Sequence, residues 1–251
     1  QRDHYVQAFL PNASLKKVFD VTKERAKFCT KKLNCLVKKH DYIDMAEFLL
    51  HEANAQLNLG MFGNTSFYNE SNNKIIRSAL KGKGKSGVLK HYIETLVNHV
   101  EFNKHTLSNP SSVGVNGDLN IQGPLGKAIA EQDVDSLTKW GNGLIFSFAG
   151  HDTTGNTMSF FCLEMAKRQD YQSRLRDEID SFFSKNPMRD LMYEDLKEFP
   201  FLTRCWTETL RLWPAVPNGT YRELQYDDYI IGSNGEEVCL PKGTYVQISN
   251  W

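Results

Sequence analysis

The 251-residue chain has no excess of either charge: 30 lysines and arginines stand against 30 aspartates and glutamates. That balance excludes a net basic field for nucleic acid and an acidic solvating tail. The five cysteines, Cys29, Cys35, Cys162, Cys205 and Cys239, are odd in number and contain no C-x-x-C pair. Cys29 and Cys35 stand six apart in a helical pattern, which does not suit a short-range disulfide, so free and mostly buried thiols in a reducing compartment are expected. There is no charged leader, no apolar run long enough to span a bilayer and no internal repeat. The chain opens at Gln1 and stops at Trp251 just after a strand pattern, so both ends are expected to be cut from something longer. The missing anchor therefore does not speak for a parent protein.

Other motifs fail for want of a residue. Gly84-Lys85-Ser86 matches the end of a phosphate loop, but the earlier position that needs glycine holds Ala79. His51-Glu52 is not followed by a histidine at zinc-protease spacing. His91, His99 and His105 are eight and six residues apart and do not share one helix face.

What is present is helical periodicity over most of the length. A first helix is expected from a cap at Asn12 or Ser14 to about Lys39, a second after Asp41 from Tyr42 to about Leu59, and a short piece near Lys74–Leu80. A flexible basic loop over 81–87 and a helix from Val88 to about Leu107 follow, then an irregular connection over 108–126. The longest helix is predicted from about Asp133 to Arg168, another from Tyr171 to Ser184, and a last one from Phe201 to Leu212, closed by Pro214 and Pro217. Beyond it the period changes to two: Tyr229–Ile231 and Glu237–Leu240 flank an Asn234-Gly235 hairpin turn, with a third strand over Thr244–Ser249. The fold class is mainly α with a small β part, in one domain over 1–251.

The middle of the longest helix carries Phe148-Ala149-Gly150-His151-Asp152-Thr153-Thr154. Apolar residues on nearly every face predict that this helix is buried. Ala149-Gly150 removes side-chain bulk for one turn and lets a flat ligand approach the backbone. The two threonines can bond back to carbonyls one turn earlier and open the helix locally. Asp152 and Thr153 beside such a slot form a proton relay in outline, with the hydroxyl orienting a water and the carboxylate connecting it to solvent. His151 points about 100° away from Asp152 and is left out of the chemistry.

Downstream stands Glu208-Thr209-Leu210-Arg211-Leu212-Trp213-Pro214. Glu208 and Arg211 lie one turn apart and can pair. The apolar neighbours Pro200, Phe201, Leu202, Trp206, Leu210, Leu212 and Trp213 predict that the pair is buried, where it needs further partners.

Together, A-G-H-D-T-T and E-T-L-R resemble the cytochrome P-450 family of haem-thiolate monooxygenases. The resemblance covers nearly the whole chain in order, and it implies a partial P-450 fold: a long central helix, an E-x-x-R helix and a C-terminal β hairpin. It casts Asp152 and Thr153 as the catalytic acid–alcohol pair. Ala149, Gly150, Thr153 and Arg222 would be cofactor-binding residues, with Arg222 meeting a haem propionate. Glu208 and Arg211 would be a structural pair behind the haem, and Phe148, Val216 and Pro217 would line the substrate pocket.

The family's F-x-x-G-x-x-x-C-x-G loop is absent, and Cys162, Cys205 and Cys239 sit on helices or a strand. No metal ligand is therefore expected in this chain; the iron of haem (heme b) would be held by a cysteine beyond residue 251, and the fragment alone would be inactive. The resemblance further implies a small apolar substrate, O2, and electrons from NAD(P)H through an NADPH-cytochrome reductase or another donor. It implies no nucleic-acid partner and a membrane-anchored parent on the cytosolic face of the endoplasmic reticulum. Leu-Trp-Pro-Ala-Val-Pro looks most like fatty-acid hydroxylating members. Some of these carry a haem-linked Glu where this chain has Ala149, so no ester link is expected. Two alternatives stay open: a haem-thiolate isomerase or dehydratase, against which Thr153 argues, and a non-catalytic truncated interaction module.

Overall fold

The computed structural model describes residues 5–10, 14–39, 42–63, 70–80, 82, 87, 90–94 and 123–250. The basic loop at 81–87, the helix expected over 88–107 and the connection at 108–126 lie largely outside them. Seven helices carry the described fold: α1 Lys16–Val37, α2 Met45–Gln56, α3 Glu70–Leu80, α4 Pro124–Glu131, α5 Ser136–Lys167, α6 Gln169–Lys185 and α7 Pro200–Leu212. Four short strands follow, β1 Thr220–Glu223, β2 Asp228–Ile231, β3 Glu237–Leu240 and β4 Tyr245–Ile248.

Local chemistry explains the helix ends. Asp44 caps α2 by accepting from Glu47 N at 2.9 Å, so the start lies three residues beyond the expected Asp41. Asp135 caps α5 in the same way, accepting from Thr138 N at 3.0 Å. The first residue of α7 is Pro200, whose missing N–H costs nothing there. Ser14 does not cap α1, whose N-cap position is Leu15 and carries no side-chain cap. The α4 helix went unforeseen: its eight residues begin at a proline inside a glycine-rich stretch that reads as loop.

The strands form two antiparallel pairs rather than one hairpin with a third strand appended. β2 pairs β3 as the expected hairpin, with Gly235 at φ 81° in the turn and Tyr229 opposite Cys239. β4 pairs back to β1, with Thr220 opposite Ile248 and Glu223 opposite Tyr245.

The principal helix contact runs between α2 and α5. Gly155 permits it: a Cβ there would stand 2.7 Å from Leu50 Cα. Polar groups are sealed in on this side. Arg25 of α1 reaches Glu52 of α2 with Nε at 3.1 Å and Nη2 at 2.5 Å, and Arg77 of α3 grips Glu47 at 2.6 and 3.0 Å. Asn54 donates to Asn73 at 2.7 Å, and Tyr92 donates to Asn58. All four of these residues are buried, as the cost of an unpaired interior polar group demands. One apolar cluster gathers Ala8, Phe62, Ile76, Ile93, Leu125 and Ile129; a second, formed by Met165, Leu175 and Cys205, joins α5, α6 and α7.

The central helix is not buried all round. Its α2 side is closed, while Ile145 is 56% and Phe148 47% exposed on the other. Its apolar coat therefore serves two surfaces: one packed on α2, one left open among the described residues.

Candidate functional site

The open side of α5, its front, carries the sequence motif. Successive residues turn by about 100°. Phe148, Ala149, Asp152 and Thr153 consequently share the front, while Ser147, His151 and Gly155 face the interior. His151 is 1% exposed, with Nδ1 2.8 Å from Ser147 O. It turns inward, about 100° round the helix from Asp152.

Thr153 Oγ1 donates to Ala149 O at 2.9 Å, the back-bond expected from the sequence. The expected opening of the helix does not follow: α5 runs unbroken from Ser136 to Lys167. Thr157 and Ser159 make the same bond to Thr153 O and Gly155 O at 2.9 and 2.7 Å, so three back-bonds are absorbed without a break.

Ala149 and Gly150 do not act as one slot. Gly150 turns toward the residue that follows α2, where a Cβ would stand 3.1 Å from Leu57 Cδ1. The cleft beside it holds about 190 Å³ between Val18, Thr22, Gly60, Thr154 and Met158. That is too small for a flat macrocycle, since sites for such ligands run to about 300–1,000 Å³. Ala149 instead presents only a methyl on the exposed front, between Phe148 and Thr153. An exposed apolar surface with an acid and an alcohol at its edge fits a flat apolar cofactor with a polar reaction to manage; Gly150 serves helix packing.

Glu208 and Arg211 pair closely, Nε to Oε2 at 2.7 Å and Nη2 to Oε1 at 2.6 Å. The guanidinium holds the carboxyl of Glu208 below the usual carboxylate range, and the carboxylate raises Arg211 in turn. The predicted burial is overturned: the side chains are 54% and 66% exposed. Cys205 and Thr209 form the buried face of α7, and the charged pair points away from it. Apolar residues along a helix mark burial only where they share a face with the group concerned, and here the closed face is the one with Cys205 and Thr209.

Arg222 lies on β1 opposite Val246, exposed, with Nη1 donating to Tyr221 O at 2.9 Å. Val216 and Pro217 stand in the turn between α7 and β1, with Val216 half exposed. That turn is fixed by β4 and the residues after it. Gln247 Nε2 donates to Asn218 O at 2.9 Å, Asn250 Nδ2 to Val216 O at 2.9 Å, and Ser249 Oγ to Pro217 O at 3.2 Å. Gly219, at φ +67°, closes it where a Cβ would meet Ile248 O at 1.7 Å.

A further contact escaped the sequence reading. Trp213 Nε1 donates to Glu164 Oε1 at 3.1 Å, and its ring stacks on Phe160 at 4.5 Å and 5°. That hydrogen bond, then Arg168, holds the Glu164 carboxyl below its ordinary range. Residues 49 apart in sequence give no periodic signal, so only the fold reveals them.

Comparison with known proteins bears on the whole arrangement. The family model described as Cytochrome P450 matches residues 83–251, which include the Asp152-Thr153 and Glu208–Arg211 motifs. Human cytochrome P450 4F8 is 33% identical over 124 residues, 49% of this chain and 22% of that protein. Cytochrome P450 4g15 of Drosophila melanogaster is 39% identical over 102 residues, 41% of this chain and 17% of that protein. The matched region thus spans about a fifth of each of these relatives. In backbone, the chain superposes on the crystal structure of a cytochrome P450 (CYP102L1) with TM-score 0.71 at 16% identity, covering 99% of this chain and 57% of that one. A retinoic acid-bound cyanobacterial CYP120A1 gives TM-score 0.68 at 21% identity, again over 99% of this chain and 55% of the other. The family model spans about two thirds of the chain and includes both the Asp152-Thr153 motif on α5 and the Glu208–Arg211 pair on α7, and the chain belongs to the cytochrome P450 family.

Proposed function

We propose that the protein containing this chain is a haem-thiolate monooxygenase that inserts one atom of O2 into a small apolar substrate, a fatty acid being the specific reading. The observation that carries it is the Asp152–Thr153 pair at the edge of the exposed apolar front of α5. When bound, haem b supplies the oxidation, drawing two electrons from NAD(P)H through a reductase. The iron's thiolate comes from a cysteine outside residues 1–251, because none of the five cysteines here stands in a loop whose amides could support a ligating sulfur.

The chain's own residues have distinct tasks. Ala149 offers a low surface for the cofactor face. The Thr153 hydroxyl hydrogen is committed to Ala149 O, so its oxygen is left to accept from a water on the front. Asp152, one residue back and partly exposed, takes a proton from solvent and passes it toward that water. Phe148, Val216 and Pro217 give the substrate apolar walls and exclude bulk water. Arg222 can pair with a cofactor carboxylate by a fork that lysine lacks. Glu208 and Arg211, already matched to each other, offer a charged surface to a further segment. The Leu-Trp-Pro-Ala-Val-Pro run supports a fatty acid as substrate.

The parent is proposed to sit at the cytosolic face of the endoplasmic reticulum. Among the described residues no helix is long and apolar enough to cross a membrane, so an anchor would lie outside them.

The test uses the full-length protein with a reductase, NADPH, saturated fatty acids and isotopically labelled dioxygen. A thiolate-type ferrous–CO spectrum and hydroxy acids carrying the label are expected. Product formed without O2 would place the enzyme among isomerases or dehydratases, and a spectrum without the thiolate signature would overturn the cofactor assignment.

A further inference from the structure

Trp213 occupies the residue directly after α7, where the chain leaves the helix for the turn that carries Val216 and Pro217. Its indole makes two directional contacts with α5. The ring lies flat on Phe160, and the N–H reaches the carboxylate of Glu164. Glu164 is 7% exposed and is also approached by Arg168 at 3.4 Å and Lys167 at 3.5 Å. A buried carboxylate with cationic neighbours is a fixed acceptor, and hydrogen bonds to such groups are the stronger kind.

Position along α5 gives these contacts their meaning. Phe160 is seven residues beyond Thr153, two helical turns and about 10 Å along the same face. The stacked indole therefore closes the front of α5 one small-molecule length from the relay. At its far end the turn is held by Gln247, Ser249 and Asn250. Among the described residues neither two-stranded sheet packs extensively on a helix. Trp213 is thus the contact between α5 and α7 that lies nearest the turn.

We infer that Trp213 and Glu164 are positioning residues that set how far the Val216–Pro217 wall stands from the relay, and so determine which carbon of the substrate is oxidised. This rests on the monooxygenase reading above. Neither residue touches reacting atoms; both act through the turn.

The test compares wild type, Trp213→Phe, which keeps the stack but loses the N–H, and Glu164→Gln, which keeps an acceptor oxygen but loses the charge. In the full-length haem-loaded protein, two quantities are read: the isomer distribution of hydroxylated products from a saturated fatty acid, and amide hydrogen exchange at 214–219. Haem content and the ferrous–CO spectrum serve as controls. With the controls unchanged, Trp213→Phe is expected to speed exchange about tenfold, the loss of one hydrogen bond to a charged acceptor, and to change the isomer ratio several-fold. Glu164→Gln falls between it and wild type. An unchanged isomer ratio in Trp213→Phe overturns the inference. If wild type gives no hydroxylated product, the monooxygenase reading has failed instead, and the exchange rates alone judge the clamp, unchanged rates overturning it.

Discussion

Arg25–Glu52 and Glu208–Arg211 bring the same two chemical groups together in opposite settings. The first joins α1 to α2 in the interior, with side chains 10% and 2% exposed; the second sits within α7 facing solvent. The contrast extends to the regions around them. Behind α5, arginines, asparagines and Tyr92 are buried with partners, and Gly155 lets two helices nearly touch. Around the front of α5, α7 and the strands, charge and apolar surface stand uncovered among the described residues. The closed side fixes the position of the central helix, and the open side is where ligand and further chain can be received.

The largest effect that would break this comparison is on the closed side. Glu52→Ala leaves Arg25 buried without its carboxylate and is expected to cost about 3–5 kcal/mol in denaturant unfolding. A loss no greater than that of a surface substitution would show the two pairs to be equivalent. Gly155→Ala comes next, because the new methyl meets Leu50 backbone; a loss of about 1–3 kcal/mol is expected, read as a lower midpoint at unchanged slope.

Cysteine reactivity sharpens the contrast without altering the fold. Burial, then the contact with Glu52, pushes the Cys29 thiol up to about 12, so it stays protonated at mildly alkaline pH. Alkylation followed by mass spectrometry is expected to label the exposed Cys35 and Cys239 at least about tenfold faster than Cys29. Equal rates would contradict a closed α1–α2 interface. The smallest effect on stability belongs to Glu208→Ala. Its unfolding midpoint is expected to match wild type, because the pair is exposed, while haem content in the full-length protein falls. A large stability loss would restore the buried pair, and normal haem content would remove the scaffold role.

The long helices were legible from apolar residues that continue over many turns without a proline or a turn signal. α5 was placed within three residues at its start and one at its end. The pairing of Glu208 with Arg211 was legible from their spacing of one helical turn. Burial was not. The sequence around Glu208 is apolar in order along the chain but not in direction, and Gly150, adjacent to Ala149, turned out to face another helix. Contacts between distant elements, such as Trp213 with Glu164 and β4 with β1, have no local signature at all. The fold alone brings those residues together.

The central claim is that Thr153, on the front of α5, manages protons during oxidation. Substituting Thr153→Ala in the full-length protein and measuring hydrogen peroxide released per NADPH consumed, alongside product formed, tests it most directly. The account predicts more peroxide and less product at unchanged haem content. The wild-type ratio of peroxide to product in the variant would contradict it.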